Sequence, residues 1–242
     1  MALKTFEEFK SDSNSSQKLT ESAIGNMLLS FKNWAAEFWK KTPEAKKIPK
    51  APPPSYLIGE HILYIPHQQG PDAAAKIFKA ASGLGKLDPD IRKKLLVNVP
   101  TGSSYYNVIK DPKKTSKQVA VAFLKYYSEN WNSLKKEALN LIIKPEYKKA
   151  KLAIDSIQNL QLPKDFLTTV AFKESSLNSN PSRNKKYRGL FQIGPLAWAE
   201  LKRVMPFKYK GNQIPLDPKK NAQAGHDYLK HINDIFQKKL QA

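Results

Sequence analysis

The stretch from Phe166 to Ala199, FLTTVAFKESSLNSNPSRNKKYRGLFQIGPLAWA, constrains the chain most. Pro163 suits a helix start, where its missing N–H costs nothing. Phe166, Leu167, Val170, Ala171 and Glu174 then recur at helical spacing, so the Glu174 carboxyl projects from the apolar face. Ser175, Ser176, Asn178, Ser179, Asn180 and Pro181 favour turns, which predicts a helix end just after Glu174. Burial and the negative end of the helix dipole both disfavour the anion. The expectation is a raised pKa and a proton held near neutral pH. On position alone, a helix-end glutamate paired with one of the many lysines fits as well.

A carboxyl that holds its proton is what general acid catalysis of glycoside cleavage requires. The string E-S-x-x-N (Glu174, Ser175, Asn178) followed by G-L-F-Q-I (Gly189 to Ile193) resembles the lytic transglycosylases of the goose-lysozyme-like superfamily. Pro195 and Trp198 stand where that family starts its next helix. Asp217-Pro218, Asn221, Gly225, Tyr228 and Leu229 resemble its D-P-x-x-N-x-x-x-G-x-x-Y-L helix. The likeness covers residues 163–232.

At 242 residues and 40% hydrophobic content, one globular domain with an appendage is expected. No apolar run is long enough for a membrane span, and the first residues show no secretory h-region. Cysteine is absent, which rules out disulfides and thiolate metal sites. The net charge is +20, carried by lysines apart from Arg92, Arg183, Arg188 and Arg203. Lysine attracts polyanions without the forked geometry that reads bases. An anionic cell wall fits, and no specific nucleic acid is expected; an AT-rich genome, which encodes much lysine, would leave the same mark.

Residues 1–18 are polar. Residues 19–40 carry Ile24, Met27, Leu28, Phe31, Trp34, Ala35 and Phe38 at helical spacing, an amphipathic pattern that suits self-packing, a partner or a membrane surface. Glu21 and Glu37 disfavour the membrane. Residues 41–55 form a proline- and lysine-rich linker, so residues 1–50 read as an anchor and 51–242 as a catalytic domain. Helices with breaks are expected over 56–81, broken at Pro66 to Pro71, and over 84–100 from an Asp88 cap. Another runs from Val119 to Tyr127, and helix resumes over 132–160.

A second likeness lies earlier in the chain. Tyr64 to Gly70 with Ala73-Ala74 resembles the Y-L-A-H-x-x-G-x-x-G-A-A segment of phage and bacterial transglycosylases, and Tyr106 to Leu124 resembles their later tail. In those proteins both follow the glutamate helix; here they precede it, and the expected A-Y-N-A-G segment is missing. A circularly permuted domain follows as an expectation, with 56–127 supplying the C-terminal part of the fold and 150–242 its core; an unrelated helical N-terminal domain beside a truncated catalytic one is the alternative.

The resemblance implies a mostly α, α+β lysozyme-like domain with a small β-hairpin near 187–194. It implies cleavage of the MurNAc–GlcNAc β-1,4 bond with a 1,6-anhydro product, Glu174 acting as acid and then base. No Asp or Glu lies between Ser175 and Ala199, which fits a one-carboxylate route. Ser175 and Gln192 would orient the glutamate and the substrate amide. Gly189 would let sugar approach, Tyr187 would stack on it, Tyr228 would pack or hydrogen-bond near Glu174, and Tyr64 and His67 would line the cleft. His67 reads equally well as a structural histidine. His61, His226 and His231 form no ligand set, so neither metal nor cofactor is expected. A phage virion is the expected location, with other virion proteins docked on residues 19–40. A hydrolase and a non-enzymatic polyanion-binding virion protein are the rival readings.

Overall fold

The computed structural model describes residues 36, 39, 40, 53–178 and 186–241. Among them helix dominates and no β-strand occurs. A 3-10 turn at Ser55–Leu57 leads into α1 (His61–Gln69) and α2 (Pro71–Ala81), followed by α3 (Pro89–Val97) and α4 (Ser104–Lys110). Then come α5 (Ser116–Ile142), a second 3-10 turn at Pro145–Tyr147, α6 (Lys148–Asp155), α7 (Lys164–Ser175), α8 (Pro195–Val204) and α9 (Pro218–Gln241).

Two long helices carry the rest. α5 starts at a reciprocal capping box, Thr115 with Gln118, and runs unbroken for 27 residues, about 40 Å at 1.5 Å per residue. The break expected near residue 131 is absent because Trp131 and Ala138 continue the buried stripe of Phe123, Leu124 and Tyr127. α5 packs on α7, α2 and α4; α9 packs on α2, α6, α1 and α8. Small buried residues, Ala74 and Ala75 on α2 with Ala224 on α9, suit such close approach. Residues from both parts of the chain, Phe78 and Phe123 as well as Phe166 and Phe236, share one buried cluster.

Local expectations are met with two shifts. Asp88 stands at the N-cap of α3, but its carboxylate takes Lys76 Nζ at 2.6 Å instead of capping. α1 runs through Pro66 and stops at Gly70, whose φ of +83° suits glycine. Of residues 19–40, only 36, 39 and 40 are described; they are helical, and Trp39 packs against the core. The rest of that expected helix and most of the linker lie outside the described residues.

The expected hairpin at 187–194 is corrected to a single antiparallel bridge, Arg188 with Ile193, closed by N–H···O bonds of 3.0 and 2.9 Å. It cannot lengthen, because Gly194 already caps α8 and Pro195 begins it. Asn221 of α9, fully buried, holds this turn. Its Oδ1 accepts from Phe191 N at 2.9 Å, and its Nδ2 donates to Arg188 O and Pro215 O at 3.0 Å each. Gly189 has φ +70°, and a Cβ there would sit 2.3 Å from Asn221 Cγ. The close approach that requires glycine is therefore made by Asn221.

Asn221→Ala should cost about 2–4 kcal/mol, since it strands buried backbone groups. Gly189→Ala should also destabilise, through contact and through φ. In urea melts the double variant should lose less than the sum of the two, because removing the carboxamide opens room for the methyl. Strict additivity would mean that the two positions do not meet.

Candidate active site

Glu174 sits one residue before the end of α7. The helix stops because Ser176 and Leu177 both adopt left-handed conformations, at φ +53° and +60°. Neither is glycine, so the reversal stores strain. Burial of Leu177, 3% exposed, offsets it. The Ser175 hydroxyl lies 2.9 Å from Ala171 O and 2.8 Å from Leu190 O, donating to one at a time. It ties the acid-bearing helix to the Gly189–Ile193 turn.

The carboxyl itself meets α1. Tyr64 Oη donates to Glu174 Oε1 at 2.9 Å, and His67 Nε2 lies 3.3 Å from the same oxygen. A carboxylate only accepts, so Nε2 of His67 carries a proton toward it, while the buried Nδ1 has no hydrogen-bond partner among the described residues. Residues three apart share a helix face, and Tyr64 and His67 use that spacing. Tyr64 is 3% exposed and is held from behind. It stacks on Tyr127 at 6.4 Å and packs on Trp131 at 5.3 Å. These two lie one turn apart on α5. Tyr127 Oη donates to Gln68 Oε1, and Gln68 Nε2 donates to Asn98 Oδ1 at 2.9 Å. Asn233 of α9 donates to Leu63 O at 2.9 Å and fixes α1 from below.

The raised pKa expected for Glu174 is overturned. Burial pushes it up and is the largest single influence. The hydrogen bond and charge of His67, the Tyr64 hydroxyl and the Lys173 charge together outweigh burial and hold the carboxyl below its ordinary value. Burial next to that carboxylate drives the Tyr64 phenol well above its usual range, so Tyr64 stays a donor.

A cavity of about 240 Å³ adjoins this centre, walled by His67, Tyr187, Gln192, Leu196 and Tyr228 among others. Glu174 reaches it through His67, whose ring meets Tyr228 edge-on at 6.1 Å. None of the described residues lining the cavity is Asp or Glu. Tyr187 is exposed and lies against Gly194, where a Cβ would come 2.7 Å from its ring. Phe191 and Trp198 are buried in the core. Gln192 is left-handed at φ +46°, and its Nε2 donates to Gly189 O at 2.8 Å.

Glu174, Tyr64, His67 and Tyr228 are thus gathered at one centre, with Tyr187 and Gln192 on the adjoining wall. Ser175 and Gly189 serve the supporting turn. Sequence reasoning missed the backing by Tyr127, Trp131, Gln68 and Asn98, although the aromatic pair at i, i+4 on α5 was a visible signal. Among the described residues no His, Cys, Asp and Glu cluster of three could hold a metal ion, and no helix is long and apolar enough to cross a membrane.

Comparison with known proteins bears on this geometry. The family model of the transglycosylase SLT domain matches residues 151–242, which hold Glu174, the Gly189–Ile193 turn and Asn221. Tyr64 and His67 lie outside the matched residues. No curated protein and no solved structure matches the chain. Residues 151–242 are thus similar to the transglycosylase SLT domain, whose family members are lytic transglycosylases acting on peptidoglycan, and this match supports a lytic transglycosylase.

Proposed function

We propose that this enzyme cleaves the MurNAc–GlcNAc β-1,4 bond and closes a 1,6-anhydro ring, with Glu174 as the one carboxyl that first gives and then takes a proton. The observation that carries this reading is the concentration of both donors, Tyr64 and His67, on Glu174 Oε1. Oε2 then bears the exchanged proton. Glu174 protonates the leaving GlcNAc oxygen while the substrate's own N-acetyl carbonyl attacks C1. The resulting carboxylate removes the proton of the C6 hydroxyl; that oxygen attacks C1, and the N-acetyl group is released. No water is consumed. Among the described residues no Asp or Glu lines the cavity beside Glu174's partner His67, which supports a one-carboxylate route over a two-carboxylate one.

Two further parts of the proposal concern the whole chain. The order of segments is a circular permutation, supported by Tyr64 and His67 meeting Glu174 from more than 100 residues upstream. The enzyme reaches the wall in a phage particle, supported by the anchor-and-tether pattern of residues 1–50 and the likeness to phage transglycosylases.

Glu174→Gln should lower turnover on purified peptidoglycan by about 10²–10⁴-fold. Mass spectrometry should find anhydro-muropeptides from the wild type; reducing-end muropeptides instead would make it a hydrolase.

The pH profile follows from the lowered pKa of Glu174. Only the protonated acid starts the reaction, so kcat/KM should fall as pH rises through the free enzyme's Glu174 pKa. His67→Phe removes a partner that favours the anion. The pKa then rises, and the falling limb should move to higher pH. A limb that stays put or moves down would remove His67 from the acid's environment.

At the level of the chain, deleting residues 1–50 should abolish incorporation into particles and leave wall cleavage intact. A rearranged chain placing residues 53–147 behind residue 241 through a flexible linker should still fold and cleave. Loss of cleavage in either experiment would refute that part.

A further inference from the structure

A second cavity, of about 670 Å³, opens beside the first and shares Lys186 and Pro195 with it. Its walls carry Arg188, Asn212, Gln213, Ile214 and Leu216. They come from two segments of the chain, the turn after the acid-bearing helix and the 212–216 loop. One carboxamide joins them: Asn221 Nδ2 donates to Arg188 O and to Pro215 O, one in each wall. The loop is fastened again nearby, where Trp198 Nε1 donates to Gly211 O at 3.3 Å. The cavity is therefore preorganised.

Its chemistry differs from that of the first cavity. Among the described residues no carboxylate lines it, while two cations, Lys186 and Arg188, do. Arg188 is half-buried and pairs with no acid among the described residues, although Arg203, another arginine of the chain, forks onto Glu200 at 2.8 and 2.7 Å. A guanidinium offers a planar fork that matches a carboxylate. Asn212 and Gln213 can donate to and accept from peptide groups, and Ile214 and Leu216 supply an apolar floor for small aliphatic side chains. Exposed Leu196 belongs to the first cavity's lining and follows directly on the shared Pro195. Arginine, two amides and aliphatic side chains form a surface that fits a short peptide ending in, or branching at, a carboxylate.

We propose that this second cavity binds the peptide stem that peptidoglycan carries on its muramic acid, with Arg188 taking a stem carboxylate. The inference rests on the reading of the first cavity as the glycan site, since a stem leaves the sugar beside the bond being cut. It makes the enzyme selective for peptide-bearing over stripped glycan. Phosphate of a wall polymer is another anion that a guanidinium would take, and a phosphate-free muropeptide as ligand separates the two.

The test has two arms. In the first, kcat/KM is measured on intact glycan strands and on strands stripped of peptide by an amidase. The wild type should prefer the intact strands, and Arg188→Ala should reduce the ratio of the two values about tenfold, the loss of one charge-assisted hydrogen bond. Arg188→Lys should restore part of it. In the second, calorimetry on Glu174→Gln compares a soluble disaccharide muropeptide with the same disaccharide lacking peptide. The muropeptide should bind about tenfold tighter, and adding Arg188→Ala should erase the difference. Wild-type cleavage with an unchanged ratio in Arg188→Ala overturns the stem site and spares the catalytic reading. Peptide-selective binding without cleavage overturns the catalytic reading and spares the stem site. Equal affinity for both ligands overturns the stem site whatever the kinetics show.

Discussion

One oxygen atom, Glu174 Oε1, is where the two parts of the chain meet chemically. It accepts from Tyr64 and His67, which the sequence separates from it by 110 and 107 residues. A half-buried carboxylate without such donors would bear the full desolvation cost of its charge. With them the anion is favoured, and the carboxyl is held in a fixed orientation against His67, which lines the cavity. α5 and α9 act as the frame for that contact: α5 through the stacked Tyr127 and Trp131, α9 through Asn233 under α1 and Tyr228 beside His67. Moving α1 relative to α7 would uncouple both donors at once.

Under the proposed mechanism, in which Glu174 acts first as acid and then as base, the lowered pKa has a chemical logic. A carboxyl with a strongly raised pKa gives its proton reluctantly and keeps too little anion for the second step. Held below its ordinary value, Glu174 is a stronger acid. A sugar that displaces water from it adds desolvation, which works in the opposite direction. The balance between Tyr64, His67 and Lys173 on one side and burial on the other therefore sets where along the reaction the proton sits most easily.

Much of this was legible before any coordinates. The end of α7 is written in Ser175-Ser176, the start of α3 in Asp88-Pro89, and the turn in Gly189 to Ile193. Asn221 stood out through its place in the D-P-x-x-N pattern, but its task did not, because a residue's role as a pin is a property of three backbone segments that only folding brings together. The sign of the Glu174 shift was misjudged for the same reason: burial and helix dipole are local and readable, whereas the donors that outweigh them come from α1. The hairpin that the resemblance implies shrinks to one bridge, because Gly194 and Pro195 leave it no length. The unbroken α5 was missed because Asn130, Asn132 and Ser133 interrupt the apolar pattern on its solvent side while Trp131 keeps the buried stripe intact.

The carboxamide of Asn221 has a consequence for how such enzymes can diversify. It fixes the spacing of both walls of the larger cavity and, through Gly189, the shape of the turn beside the acid. The width of the one and the curvature of the other are mechanically a single parameter. On the proposed stem site, a change of peptide preference should come from rim positions such as 212, 213 and 216, since altering the pin or the glycine facing it would disturb both cavities at once.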